Sequence, residues 1–170
     1  MPSDSTSNIV IGLDYNLSPH FTFGAVTRTD HRRWLVQNQI DARQYMDNLS
    51  KVCNQLLEPI WTLVGPIIIT SVFRCDGLNK AIGGAPTSQH RFGEAADMVF
   101  VGAMEGDLLK QAFNKIAFSD LQYSQIIYEF RQWVHVGLID ENMYPKKKLQ
   151  KMVAERKNNK TVYTVVSNPI

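Results

Sequence analysis

Cysteine is scarce in this 170-residue sequence: only Cys53 and Cys75 occur, and they form no Cys-x-x-Cys pair. A four-cysteine zinc site is therefore excluded, and two reduced thiols are the simplest expectation, with Cys53 in the core and Cys75 just after a strand. Long apolar runs are also missing. None approaches the roughly 18 residues that a membrane span requires. The first eight residues contain no Lys or Arg and no apolar stretch, so a secretory signal is not expected there. The expectation is a protein made in the cytoplasm that meets any external substrate after release. Internal repeats and low-complexity linkers are absent, and the net charge is only +2.

What remains is an ordinary globular composition, 44% hydrophobic and 20% charged, sufficient for one buried core. The expected organisation is a flexible tail over residues 1–13 and a single domain over 14–170. Charge is unevenly placed: seven of the eighteen Lys and Arg residues fall between Lys146 and Lys160. Such a stretch can bind anionic polymers of a bacterial envelope, although a solvated helix face is the plainer reading. Nucleic acid is not an expected partner, because aromatic interleaving and groove-reading motifs are lacking. A monomer is expected.

Leu49, Val52, Cys53, Leu56 and Ile60 recur at helical spacing, with Pro59 predicting a kink or a restart. The β-branched run Ile67–Ser71 predicts a buried strand, and Ala95–Val101 a second. Glu105–Phe118 reads as an amphipathic helix with Leu108, Leu109, Ala112, Phe113 and Ile116 inward. Gln125–Glu129 and Trp133–Leu138 predict one bulged strand or a tight pair. Pro145 is expected to start a basic helix, and Thr161–Val166 a last strand. Without regular βαβ alternation the fold class is α+β, with Asp14–Gln39 irregular or in short helices.

Two of four histidines lie in chemically organised segments. One reads Ser88-Gln-His90-Arg-Phe-Gly93-Glu-Ala95-Ala96-Asp97, the other Trp133-Val-His135-Val. A catalytic zinc takes three His or carboxylate ligands and keeps one position open. His90, Asp97 and His135 supply that set for one Zn2+ ion. The small residues between the first two let the backbone turn tightly, and an apolar strand after Asp97 would hold its carboxylate. A histidine in a Val-His-Val strand is, however, commonly a hydrogen-bonded core residue, so the motif alone leaves both readings open.

The pattern Ser-x-His-x-x-Gly-x-Ala-x-Asp followed by Trp-Val-His-Val resembles the signature of the D-alanyl-D-alanine carboxypeptidase family of zinc peptidases. That family includes phage endopeptidases and is related in fold to hedgehog signalling domains. Further likeness lies in Leu17–Phe21, in Leu57-Glu58-Pro59, in Gly65–Ser71, and in Arg74, Asn79, Gly83 and Gly84, covering residues 15 to 140. The resemblance implies a small antiparallel sheet flanked by helices, with zinc in a cleft over the sheet. It also implies a substrate, the stem peptides of cell-wall peptidoglycan, and either D,D-carboxypeptidase or endopeptidase (endolysin) action in a phage-type protein, carried in a virion or released onto the wall.

Zinc brings the pKa of bound water to about 7, and a carboxylate then moves the proton to the leaving amine. Glu129 is the candidate base. It precedes His135 by six residues, an even step that puts both on one face of a continuous strand, among apolar neighbours that raise its pKa. Some relatives place this glutamate three residues before the last histidine, where this chain has Gln132; others use the six-residue step. Glu94 is the fallback, expected to face solvent. Arg74 is expected to clamp a substrate carboxylate or an oxyanion, with Ser88 beside it, as the resemblance implies, and Trp133 walling the cleft. Cys75 replaces the small residue usual after that arginine. His20 and His31 are read as structural, His20 near the cleft. The competing reading is a zinc-containing domain without turnover that binds cell wall or serves in a virion.

Overall fold

The structure, a computed structural model, describes residues 11–139 and 149–170. Most of the expected tail and the start of the expected basic helix at Pro145 lie outside the described residues. The core begins with a short helix, α1 (Phe23–Thr27), whose first turn is capped by Thr22 Oγ1 accepting from Ala25 N–H. A nearly continuous helical run from Leu35 to Val64 follows, comprising α2 (Leu35–Ala42), α3 (Met46–Lys51) and α4 (Glu58–Val64). Residues 52–57 form a widened π-type turn, in which Glu58 N–H reaches back five residues to Cys53 O. Pro59 is the cause. It has no N–H and its ring crowds the carbonyl four residues earlier, so the turn ahead of it opens and the helix continues.

Six strands form one sheet in the order β1-β2-β4-β3-β5-β6. They are β1 (Ile67–Ser71), β2 (Ala95–Phe100), β3 (Gln125–Glu129), β4 (Trp133–Gly137), β5 (Gln150–Lys157) and β6 (Lys160–Val165). All neighbours are antiparallel except β3 and β5, which run parallel. Between β1 and β2 lies α5 (Asp76–Ala81), and between β2 and β3 lies α6 (Gly106–Ala117). The helices pack one face of the sheet, where Met98, Val134, Val136, Ile126 and Tyr128 meet Leu56, Ile60, Phe113 and Ile116 in the core. The fold is α+β, as expected from the chain.

Two expectations change and one alternative is decided. Residues 150–157 are a strand, not a helix: Met152 and Ala154 alternate inward along β3, and Asn158-Asn159, both with φ near +55°, turn the chain into β6. Of the two arrangements expected for Gln125–Leu138, the tight pair is the one formed, as a hairpin. In α6, Leu108 faces solvent, because the inward stripe is set by Leu109, Phe113 and Ile116. Cys53 and Cys75 are both buried and unbonded.

Two of the sequence motifs acquire a structural meaning. Glu58 accepts from Ser18 Oγ at 2.7 Å and from His20 N–H at 2.9 Å, and meets the His20 ring at 2.7 Å, while that ring stacks on Trp61. Leu17–Phe21 is thus tied to α4, and His20 sits away from the cleft. Asn38 on α2 is fully buried and donates to Thr27 O and Phe73 O at 2.8 and 3.0 Å while accepting from Cys75 N–H at 2.7 Å. It fixes the backbone on both sides of Arg74. Replacing Asn38 with Ala strands buried backbone groups and should cost about 3 kcal/mol, read as a lower urea midpoint at unchanged slope.

Candidate active site

The face of the sheet opposite the helices carries the polar residues, and the strand register decides which of them meet. Asp97 on β2 lies directly opposite Ser71 on β1 and opposite His135 on β4. His135 in turn lies opposite Ile127 on β3. Cross-strand partners share a face with their Cβ atoms about 5 Å apart, so Asp97 and His135 are neighbours without any loop intervening. His90 arrives differently. It sits in a single tight turn, Gln89–Phe92, closed by Gly93 at φ +66°. Gly93 is favoured on two counts: the left-handed backbone suits glycine, and a Cβ there would come tightly within 3.0 Å of Leu49 Cδ2.

The turn folds His90 back over the start of β2. Its Nε2 lies 3.1 Å from Asp97 Oδ1 and 3.2 Å from His135 Nδ1, and His135 Nδ1 lies 2.8 Å from Asp97 Oδ1. Zinc–ligand bonds near 2 Å at tetrahedral angles place donor atoms roughly 3.3 Å apart. The spacing found here fits a small divalent ion. Exposures of 3% for His90, 5% for Asp97 and 7% for His135 leave only the inner edge of the group facing the cleft. His90 Nδ1–H donates to Val72 O at 2.7 Å, which leaves Nε2 as the lone-pair atom aimed at the trio. The far nitrogen of His135, Nε2, lies 3.2 Å from Gln125 Nε2, the nitrogen of the carboxamide. A half-turn of that amide exchanges its nitrogen and oxygen; turned so, it would accept Nε2–H and leave Nδ1 free as a ligand.

Charges are steeply biased. Burial lowers the pKa of His90, keeping its imidazole neutral despite the pull of Asp97. Burial alone would raise the pKa of Asp97, but His90, a hydrogen bond from His135 and the Arg74 guanidinium together hold it well below the carboxylate range. Arg74 Nη2 donates to Asp97 Oδ2, and Arg74 Nε donates to Ser71 Oγ at 2.8 Å. The arginine expected to clamp substrate is therefore also a brace for Asp97. Glu129 lies opposite Trp133 and one cross-strand pair from His135. It shares their face because of the hairpin register. Burial pushes its pKa up to about 7, Asp97 adds to the rise, and His135 and Arg74 oppose it. The Trp133 indole N–H is buried without a hydrogen bond of normal geometry.

All these groups open onto one cleft of about 850 Å³, lined by Arg74, Ser88, His90, Asp97, Glu129, Trp133 and His135. Glu94, the fallback base, does not face solvent. It is 7% exposed, has Asn48 Nδ2 at 3.4 Å, and is absent from the cleft wall. Several cleft residues were not singled out in the sequence: Gln125, Arg156, Thr161 and Tyr163, with His31 also on the wall rather than merely structural. Gln125 was findable, since it stands four residues before Glu129 on the same strand face. Arg156 was hidden because its segment was read as a helix; Tyr163 lay in an expected strand whose pairing with β5, which brings it to the cleft, was not legible.

Three buried donors at the spacing of a divalent ion, beside a carboxyl group poised near neutrality in an open cleft, have the geometry of a metal-dependent hydrolase. The family profile of Peptidase M15 matches residues 19–137, and the chain belongs to that family. It is accordingly a metallopeptidase, of a zinc-dependent family that acts on peptidoglycan. No curated protein matches the chain. None of the helices in the described residues is long and apolar enough to cross a membrane. Wild-type protein should bind one zinc ion per chain by titration calorimetry, and His90→Ala should abolish that binding. Gln125→Ala should weaken it roughly 10-fold without changing the far-UV spectrum.

Proposed function

We propose that the chain is a phage-type endopeptidase, of the kind that acts as an endolysin, cutting the stem peptides or crosslinks of bacterial peptidoglycan. The observation that carries the proposal is the trio His90–Asp97–His135 set beside Glu129 in a cleft open to solvent. An open cleft admits a branched, cross-linked polymer, whereas trimming a terminal residue needs only a closed-ended pocket.

His90 Nε2, Asp97 Oδ1 and His135 Nδ1 would hold the metal. A zinc ion in this donor set supplies Lewis acidity, polarising a carbonyl and sharpening water as a nucleophile. Glu129 does the proton work. Its carboxylate, partly desolvated and facing the same space, takes a proton from the attacking water and returns it to the departing amine. A pKa near 7 suits both halves of that transfer, because the acid and base forms are then both accessible at neutral pH. Arg74 holds Asp97 by one guanidinium nitrogen and keeps donors available for an oxyanion. Ser88 and Trp133, both on the cleft wall, position the peptide.

Purified peptidoglycan incubated with the protein, with and without a chelator, tests this reading by mass spectrometry of the released fragments. Cut crosslinks that vanish with chelator are expected. Loss of single terminal D-alanines instead would make it a carboxypeptidase, and no chelator-sensitive product from any wall type would leave only a wall-binding or virion role. Glu129→Gln should lower kcat by at least about 100-fold while zinc still binds. The base must be deprotonated, so kcat/KM should rise with pH through a limb at or just below 7 and fall tenfold per unit beneath it. A bound cation can only move that limb lower, since it favours the carboxylate.

A further inference from the structure

The family match ends at residue 137, yet one wall of the cleft is built from the hairpin that follows, β5 and β6. Its register aims a particular set of side chains at the reaction centre. Ile127 lies opposite Met152 and Glu129 opposite Ala154, so Met152, Ala154 and Arg156 share the face that carries Glu129 and His135. On β6, Tyr163 lies opposite Ala154 and Thr161 opposite Arg156. Ala154 is small and 1% exposed. It stands opposite Tyr163, whose half-exposed ring lines the cleft, and partial burial together with the charges of Glu129 and Asp97 raises the pKa of the Tyr163 phenol. Tyr163 is therefore a protonated donor facing the cleft.

Arg156, an exposed residue, meets an aromatic ring and not a carboxylate among the described residues. Its guanidinium carbon stands 5.3 Å from the centre of the Phe130 ring, and it forms no ion pair among the described residues. Phe130 occupies a left-handed backbone at φ +53° in the β3–β4 turn, a conformation that costs a bulky residue about 1 kcal/mol or more. Its N–H is bonded to Ala154 O at 2.9 Å, so the hairpin itself fixes the ring under Arg156 and against Trp133, 5.4 Å away. Arg74, by contrast, already carries Asp97. A negatively charged substrate entering a cleft that contains Asp97 and Glu129 needs a cation not already spoken for, and Arg156 provides it.

We propose that the β5–β6 hairpin is the substrate-selecting wall of this cleft, where Arg156, with Tyr163 beside it, holds a carboxylate of the peptide. The proposal rests on the peptidase reading for its substrate class and leaves open which carboxylate is held, that of a side chain or that of a chain terminus. The test uses three synthetic stem peptides: one with both carboxyl groups free, one amidated at the side-chain carboxyl, one amidated at the C-terminus. Zinc-loaded wild type, Arg156→Gln, Arg156→Lys and Tyr163→Phe are compared by kcat, KM and calorimetric Kd.

Wild type should lose roughly 10- to 100-fold in kcat/KM on one of the amidated peptides, through KM. That peptide identifies the carboxylate. Arg156→Gln should lose the same factor on the free peptide and nothing more on amidation, with kcat changed less than about threefold. Arg156→Lys should recover part of the loss, and Tyr163→Phe should lose a smaller factor. A wild-type preference that survives in Arg156→Gln, or no preference in wild type by rate or by Kd, overturns the proposal. If nothing is cut but wild type alone binds the free peptide more tightly, the subsite stands and the peptidase reading falls.

Discussion

Asp97 is a carboxylate at 5% exposure that stays ionised only because three other groups surround it. Arg74 takes one oxygen, and His90 and His135 crowd the other. Removing an ionised group's partner inside a protein typically costs 3–5 kcal/mol, so each of these residues depends on the rest. The surrounding architecture serves that constraint. Asn38 pins the backbone on both sides of Arg74, Gly93 lets His90 turn back over β2, and the antiparallel register sets His135 beside Asp97.

The same arrangement divides labour between the sheet's two faces. One face is sealed by α4 and α6 and contributes stability through Phe113, Ile116, Leu56 and Ile60. On the other, among the described residues, Ile127, Met152 and Ala154 form a small apolar patch with Phe130 against it. A site built on strands rather than loops keeps its donors where the register puts them. The electrostatic consequence is a graded series: a neutral His90, an ionised Asp97, and Glu129 poised between its two forms. Environment alone separates two carboxyl groups of similar intrinsic acidity.

Much of this was legible in the chain. His90, Asp97 and His135 stood out because ligand types recur at a recognisable spacing around small residues, and the α+β class followed from strands without regular alternation. Helix α6 and strands β1 and β2 were visible as periodic or β-branched runs. Glu129 was reached by a sound parity argument applied to the wrong geometry: an even step puts two side chains on one face of a strand, but here the face is shared across a hairpin. The basic segment after Lys146 misled because lysine suits a solvated helix. The alternation of Met152 and Ala154 and the Asn158-Asn159 turn were the weaker, correct signals.

By itself, then, the sequence determined the candidate ligand set and the family frame, since these depend on residue type and local spacing. Tertiary structure decided what those residues touch. That Arg74 braces Asp97, that Gln125 backs His135, and that Arg156 and Tyr163 face the reaction centre all depend on which strands pair and in which register. Pairing across a sheet is a non-local choice, set by burial of a whole face at once, and no window of neighbouring residues contains it.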